Sequence, residues 1–149
     1  MNPARLVALT MVLMTKTGLA EGQARGEHRD IPPAAVFDSV LKHDLTAYFA
    51  LRDSGPISVS YQLLRDGPTI TGIAYPKYYV WVVVRSGKRL VRVGAARVAA
   101  INRSFEVTNF VEAQGIVRDP ASVRSVFPAP LLEEIGRRAR GVLSSRRGV

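Results

Sequence analysis

The stretch from Tyr78 to Glu112, YYVWVVVRSGKRLVRVGAARVAAINRSFEVTNFVE, constrains the fold more than any other. Tyr78 to Arg85 is dense in aromatic and β-branched residues, which suit a pleated surface. Ser86-Gly87 breaks that run and Lys88 to Ile101 resumes it, the pattern of a hairpin with a short loop. With Ser86 and Gly87 as the loop, Arg85 would face Lys88, Val83 would face Leu90, Trp81 would face Arg92 and Tyr79 would face Gly94. Val82 with Val91 and Val80 with Val93 would form a valine face for a core. Trp81 and Arg92 would share the opposite face, where the guanidinium could stack on the indole.

A second turn at Asn102-Arg103-Ser104 leads into a strand from Phe105 to Glu112. The parity of the apolar positions changes between Val93 and Ala96, and a one-residue shift in a strand flips every side chain. An extra residue must therefore be absorbed, and Gly94-Ala95 is the expected bulge. Beyond it Val98 should face Val107 and Ala100 should face Phe105 on the core side. Arg97, Glu106 and Thr108 would then join Trp81 and Arg92 outside. Without a bulge, Arg97 would enter the valine core unpaired, which is costly.

Upstream, Pro32-Pro33 opens a helix with Asp30 as its expected cap. Phe37, Val40, Leu41, Leu45, Tyr48 and Phe49 recur at helical spacing to about Ala50, and Asp53-Ser54-Gly55-Pro56 stops the run. Ile57 to Arg65 alternates as a strand with one wet face. Thr69 to Pro76 reads as a loop or a ragged edge strand. Arg-Asp recurs at Arg52-Asp53, Arg65-Asp66 and Arg118-Asp119, and turn chemistry accounts for it. Downstream, Gly115 and Asp119-Pro120 end the sheet, and Asp119 can cap a short helical turn to about Val126. A last helix from Leu131 to Leu143 carries Leu131, Leu132, Ile135, Ala139 and Leu143 on one side. Its acids lie in the first turn and its arginines in the last, as the helix dipole favours.

The 149 residues make one domain by size, and their net charge of +9 favours anionic partners. The absence of cysteine excludes disulfides and thiolate metal sites. Arg5, the apolar run Leu6 to Met14 and the small residues Gly18 and Ala20 lay out a secretory signal. Cleavage is expected after Ala20 or Ala24, so the chain reads as exported, periplasmic or secreted; otherwise it is cytoplasmic. The expected organisation is a signal over residues 1–20, a disordered lead-in over 21–31, one α+β domain over 32–143 and a frayed basic tail over 144–149. No run reaches the roughly 18 apolar residues that span a bilayer.

The whole reads as α+β: one long N-terminal helix on a curved antiparallel sheet of about four strands, with a short C-terminal helix. Helix followed by a four-stranded meander, from Pro32 to Glu112, resembles the cystatin-like arrangement shared with the nuclear-transport-factor-like superfamily. The inhibitory stretches of cystatins have no counterpart, since no Gln-x-Val-x-Gly occurs and Ser86-Gly87 is not a Pro-Trp loop. Protease inhibition therefore does not carry over.

No catalytic constellation stands out. His43-Asp44 is the only histidine beside a carboxylate on an ordered element, and adjacent helix residues do not face each other. Two histidines without cysteine give no metal-ligand spacing, and no cofactor motif is present. The functional expectation is a non-enzymatic domain that binds a protein or small ligand through Tyr79, Trp81, Arg92, Arg97 and Glu106 on the outer sheet face. The competing reading of that face is that the C-terminal segment covers it. The alternative function is a small enzyme or ligand carrier with a pocket between helix and sheet, using Tyr48, Tyr61 or Tyr78. The arginines from Arg137 to Arg147 could attract nucleic acid or anionic lipid, although an exported chain would not meet chromosomal nucleic acid.

Overall fold

The computed structural model describes residues 29–147. The expected signal segment, its expected cleavage sites and most of the expected lead-in lie outside the described residues. The element order is α1 (Phe37–Ala50), β1 (Ser58–Leu63), β2 (Lys77–Ser86), β3 (Arg89–Ile101), β4 (Ser104–Glu112), α2 (Ala113–Arg118), α3 (Pro120–Arg124), a 3₁₀ turn (Ala129–Leu131) and α4 (Leu132–Arg147). The fold is α+β: one antiparallel sheet in the order β1-β2-β3-β4, with several helices.

The proline pair sets up a turn, not the helix itself, and α1 begins at Phe37. Asp30 does not cap it. Its carbonyl oxygen accepts from the Arg103 amide (2.8 Å) and its carboxylate from the Asn102 amide (2.9 Å), tying the lead-in to the β3–β4 turn. Leu41, Leu45 and Phe49 are wholly buried on the sheet. They meet Val80, Val82, Val84, Ala96, Val98 and Ala100, the valine-and-alanine face. Phe37 packs edge-on against Tyr78 and Phe105, and Phe49 against Phe110 at 4.9 Å. Burying each such large apolar side chain contributes about 1.5–3 kcal/mol.

The first hairpin turns one residue later than the sequence suggests. Ser86 pairs with Arg89, leaving Gly87-Lys88 as the loop, and Gly87 takes the positive φ of 58° that the first loop position of a II′ turn demands. The register then slips between Arg85↔Leu90 and Val84↔Arg92, so the extra residue is Val91. The bulge is thus at the start of β3, not at Gly94-Ala95. Gly94 is glycine for another reason. A Cβ there would lie 2.1 Å from the Val111 carbonyl oxygen and 2.8 Å from Glu112 Cα, where β4 crosses close before entering α2. A second irregularity makes Thr108 the extra residue of β4, between Arg97↔Asn109 and Val98↔Val107. The expected partners Val98–Val107 and Ala100–Phe105 do face each other.

The second sheet face is not wet. Tyr79, Trp81, Val93 and Ala95 are buried beneath Ala113, Ile116, Val123, Phe127, Leu131, Ile135 and Ala139. Helix α2, unforeseen in the sequence, follows β4 directly, and Asp119 caps α3 through the Ala121 amide. At 16 residues α4 is longer than the 14-residue α1, so the C-terminal helix is not short; it runs on past Leu143 to Arg147.

Candidate binding groove at Trp81

The five residues expected to form one exposed strip do not. Tyr79 is 5% exposed, and its hydroxyl shares a hydrogen bond with Thr69 Oγ1 at 2.9 Å. Trp81 pairs with Ala95, not with Arg92. Arg92 pairs with Val84 on the α1 face, where its Nε donates to Asp53 and its Nη1 to Glu112 (2.5 Å). Those carboxylates, Asp53 first, hold the guanidinium charged by raising its pKa further. The group ties the end of α1 to the end of β4. Arg97 avoids the valine core, as expected, but it is engaged with Thr108, Asn109 and the Val126 carbonyl. Glu106 is exposed, and no ion pair joins it to Arg97 among the described residues.

Trp81 is nevertheless not sealed off. It is 6% exposed and lies on the floor of an open groove of about 790 Å³. Leu90 and Val142 complete the apolar lining, and Lys88, Arg138 and Arg146 supply three cations. Arg138, Gly141, Val142 and Ser145 stand at the i, i+3, i+4, i+7 spacing that places them on one face of α4. Gly141 opens the groove, because a Cβ at that position would meet nothing within 4 Å. Arg138 bridges α4 to β1, with Nε on Glu134 and Nη1 on Gln62, both at 2.6 Å. Glu134 also accepts from Arg137, and the two arginines lower its carboxyl pKa. Lys88 and Arg146 have no salt-bridge partner among the described residues. The groove therefore joins an aromatic floor to a positive rim. Sequence reasoning noted the arginine cluster and the tryptophan separately; only the packing of α4 on β2 joins them.

A second cleft of about 380 Å³ lies among α2, α3 and α4, floored by Ile116, Val123 and Leu132. Its rim sets Glu133 beside Arg124 and Arg140, so it lacks the first groove's one-signed charge. The interval between α1 and the sheet, where a ligand pocket was the alternative expectation, is filled by the apolar side chains already named. Tyr78 lies in that core and burial raises its pKa; Tyr61 donates to Asp38 at 2.5 Å, and burial and that carboxylate raise its pKa; Tyr48 carries the Arg52 guanidinium 3.5 Å above its ring.

His43 Nδ1 does reach Asp44, at 3.0 Å, despite the unfavourable spacing. The histidine side chain is 81% exposed, and the other Asp44 oxygen accepts the Phe105 amide at 2.7 Å. That carboxylate holds a strand end. Among the described residues, no group of three or more His, Cys, Asp or Glu side chains is placed to hold a metal ion. No described helix is long and apolar enough to cross a membrane.

Fold and groove together define an α+β domain with an open groove that has an aromatic floor and a basic rim. Comparison with protein-family models, with curated proteins and with solved structures found no match in any of the three.

Proposed function

We propose that this chain is an exported, non-enzymatic binding domain whose Trp81 groove takes an acidic segment of a partner protein. The observation that carries this is the union of Trp81, Leu90 and Val142 with Lys88, Arg138 and Arg146 in one open groove. An aromatic floor with a cationic rim suits a chain that alternates carboxylates with apolar side chains, and desolvated aromatic and arginine positions dominate binding energy. The net charge of +9, or +7 once Arg5 and Lys16 leave with residues 1–20 (19 basic minus 12 acidic), adds long-range attraction for such a partner.

Trp81 is the only tryptophan, so its emission reports the groove directly. Titration with a synthetic peptide alternating Asp and Leu should give a saturable spectral shift that weakens with salt. Gly141→Leu projects a side chain into the groove from a position where a Cβ meets nothing within 4 Å, and should abolish the shift while the far-UV circular dichroism is unchanged. A Trp81 spectrum indifferent to the peptide, or a Gly141→Leu variant that binds as before, defeats the proposal.

Export rests on Arg5, the apolar run Leu6 to Met14 and the small residues before the expected cut. Intact mass of the protein from the cell envelope should begin at Glu21 or Arg25; a mass that includes Met1 removes the compartment assignment. The order of helix and four-stranded meander supports a cystatin-like architecture, with the α1 core in the place of a ligand cavity.

A further inference from the structure

The two edges of the sheet are treated differently. At β4 the outward Phe105 amide is taken by Asp44, and Thr108 bulges the strand with its hydroxyl on the Arg97 carbonyl. Bulges and capped ends are how native sheets discourage further pairing. Strand β1 has neither. Its sequence SVSYQL contains no charge, and its register with β2 is unbroken from Ser58 to Leu63. The Leu64 amide bonds Tyr79, so by antiparallel alternation Gln62, Ser60 and Ser58 face β2. The amides and carbonyls of Val59, Tyr61 and Leu63 therefore point away from the sheet. No backbone partner meets them among the described residues.

Four of the six exposed large apolar side chains among the described residues lie on the segments that enter and leave this same strand; the other two, Val36 and Val117, lie elsewhere. Leu51, 86% exposed, lies on the segment that enters β1. Ile70, Ile73 and Tyr75 lie on the loop that leaves it, and Ile73 is fully exposed. The Thr69–Lys77 bridge keeps the base of that loop in line with the sheet. In an antiparallel pair of two such strands, the entry of one lies beside the exit of the other. The loop carrying Ile70 and Ile73 of each copy then lies beside the segment that enters β1 of the other, twice over by symmetry. A symmetric interface of this kind is self-complementary.

We infer that β1 is the dimerisation edge of this protein, pairing antiparallel with β1 of a second copy to make a continuous eight-stranded sheet. A two-fold axis at Tyr61 sets Val59 opposite Leu63 and uses all three outward residues, forming about six inter-chain hydrogen bonds. It also keeps the α1 helices of both copies on one face, as the parity of β1 requires. The uncharged Ser58–Leu63 edge lets two basic chains approach.

Sedimentation velocity over a concentration series tests this. The wild-type chain should pass from monomer to dimer as concentration rises. Ser60→Lys sets like charges across the axis and should weaken association at least tenfold, with unchanged circular dichroism. Leu63→Pro removes an outward amide and should act likewise; if it unfolds, Ser60→Lys decides alone. Tyr61→Cys, in a chain with no other cysteine, should oxidise to a single disulfide-linked dimer. A wild-type protein monomeric at every concentration, a dimer indifferent to Ser60→Lys, or a Tyr61→Cys variant that fails to cross-link overturns the inference.

Discussion

The two faces of the sheet carry similar apolar residues and are closed in different ways. On one, a single helix lays Leu41, Leu45 and Phe49 onto a valine surface, and aromatic rings fill the ends. On the other, three helices and a 3₁₀ turn cover Tyr79, Trp81 and Val93, and their looser fit leaves grooves. One continuous helix excludes water along its whole length. Several short ones meet at angles and leave clefts where their ends diverge. In this molecule the recess that could receive a partner is therefore on the face built from pieces.

The contrast can be broken by mutation. The largest effect is expected at Gly94: Gly94→Ala drives a Cβ into β4 backbone and should cost more than about 4 kcal/mol or prevent folding. Thermal unfolding of that variant, or its recovery only as aggregate, is the measurement. Next comes a matched pair of truncations. Phe49→Ala should cost about 3–5 kcal/mol, and Ile135→Ala, on the sheet-facing side of α4, about 2–3 kcal/mol by denaturant unfolding. Equal losses would show that the two faces are packed alike.

The smallest effect concerns alkaline pH. Burial, then the Asp38 carboxylate, raises the Tyr61 pKa above its ordinary value of 10.0. The folded chain keeps that phenol protonated while the unfolded chain ionises, so the stabilisation is complete below pH 10 and is lost as pH rises beyond it. Tyr61→Phe should flatten the alkaline limb of the stability profile and leave neutral stability within about 1 kcal/mol.

Much of this was legible in the residues. The stripe of α1, the alternation of β1, the Asp119 cap and the facing pairs Val98–Val107 and Ala100–Phe105 follow from spacing and capping chemistry. The hairpin offset does not, because Ser86-Gly87 and Gly87-Lys88 are both acceptable loops and only the sheet's packing selects one. The covered second face had a signal that alternation hid. Tyr78 to Val84 is apolar at every position, which is the mark of a strand buried on both sides. Arg92 and Arg97 pointed the wrong way: each is satisfied inside the fold, by Asp53 and Glu112 or by Asn109 and Thr108. A charged side chain on a strand therefore did not mark a free surface.

The clasp between Asp30 and the β3–β4 corner sets a practical limit on trimming. Asn102 and Arg103 both adopt left-handed backbone, with φ of 51° and 63°, a geometry that side-chain-bearing residues resist. Two acceptors from Asp30 help hold them there. Trimming that removes Asp30 should therefore free that corner to slip its register.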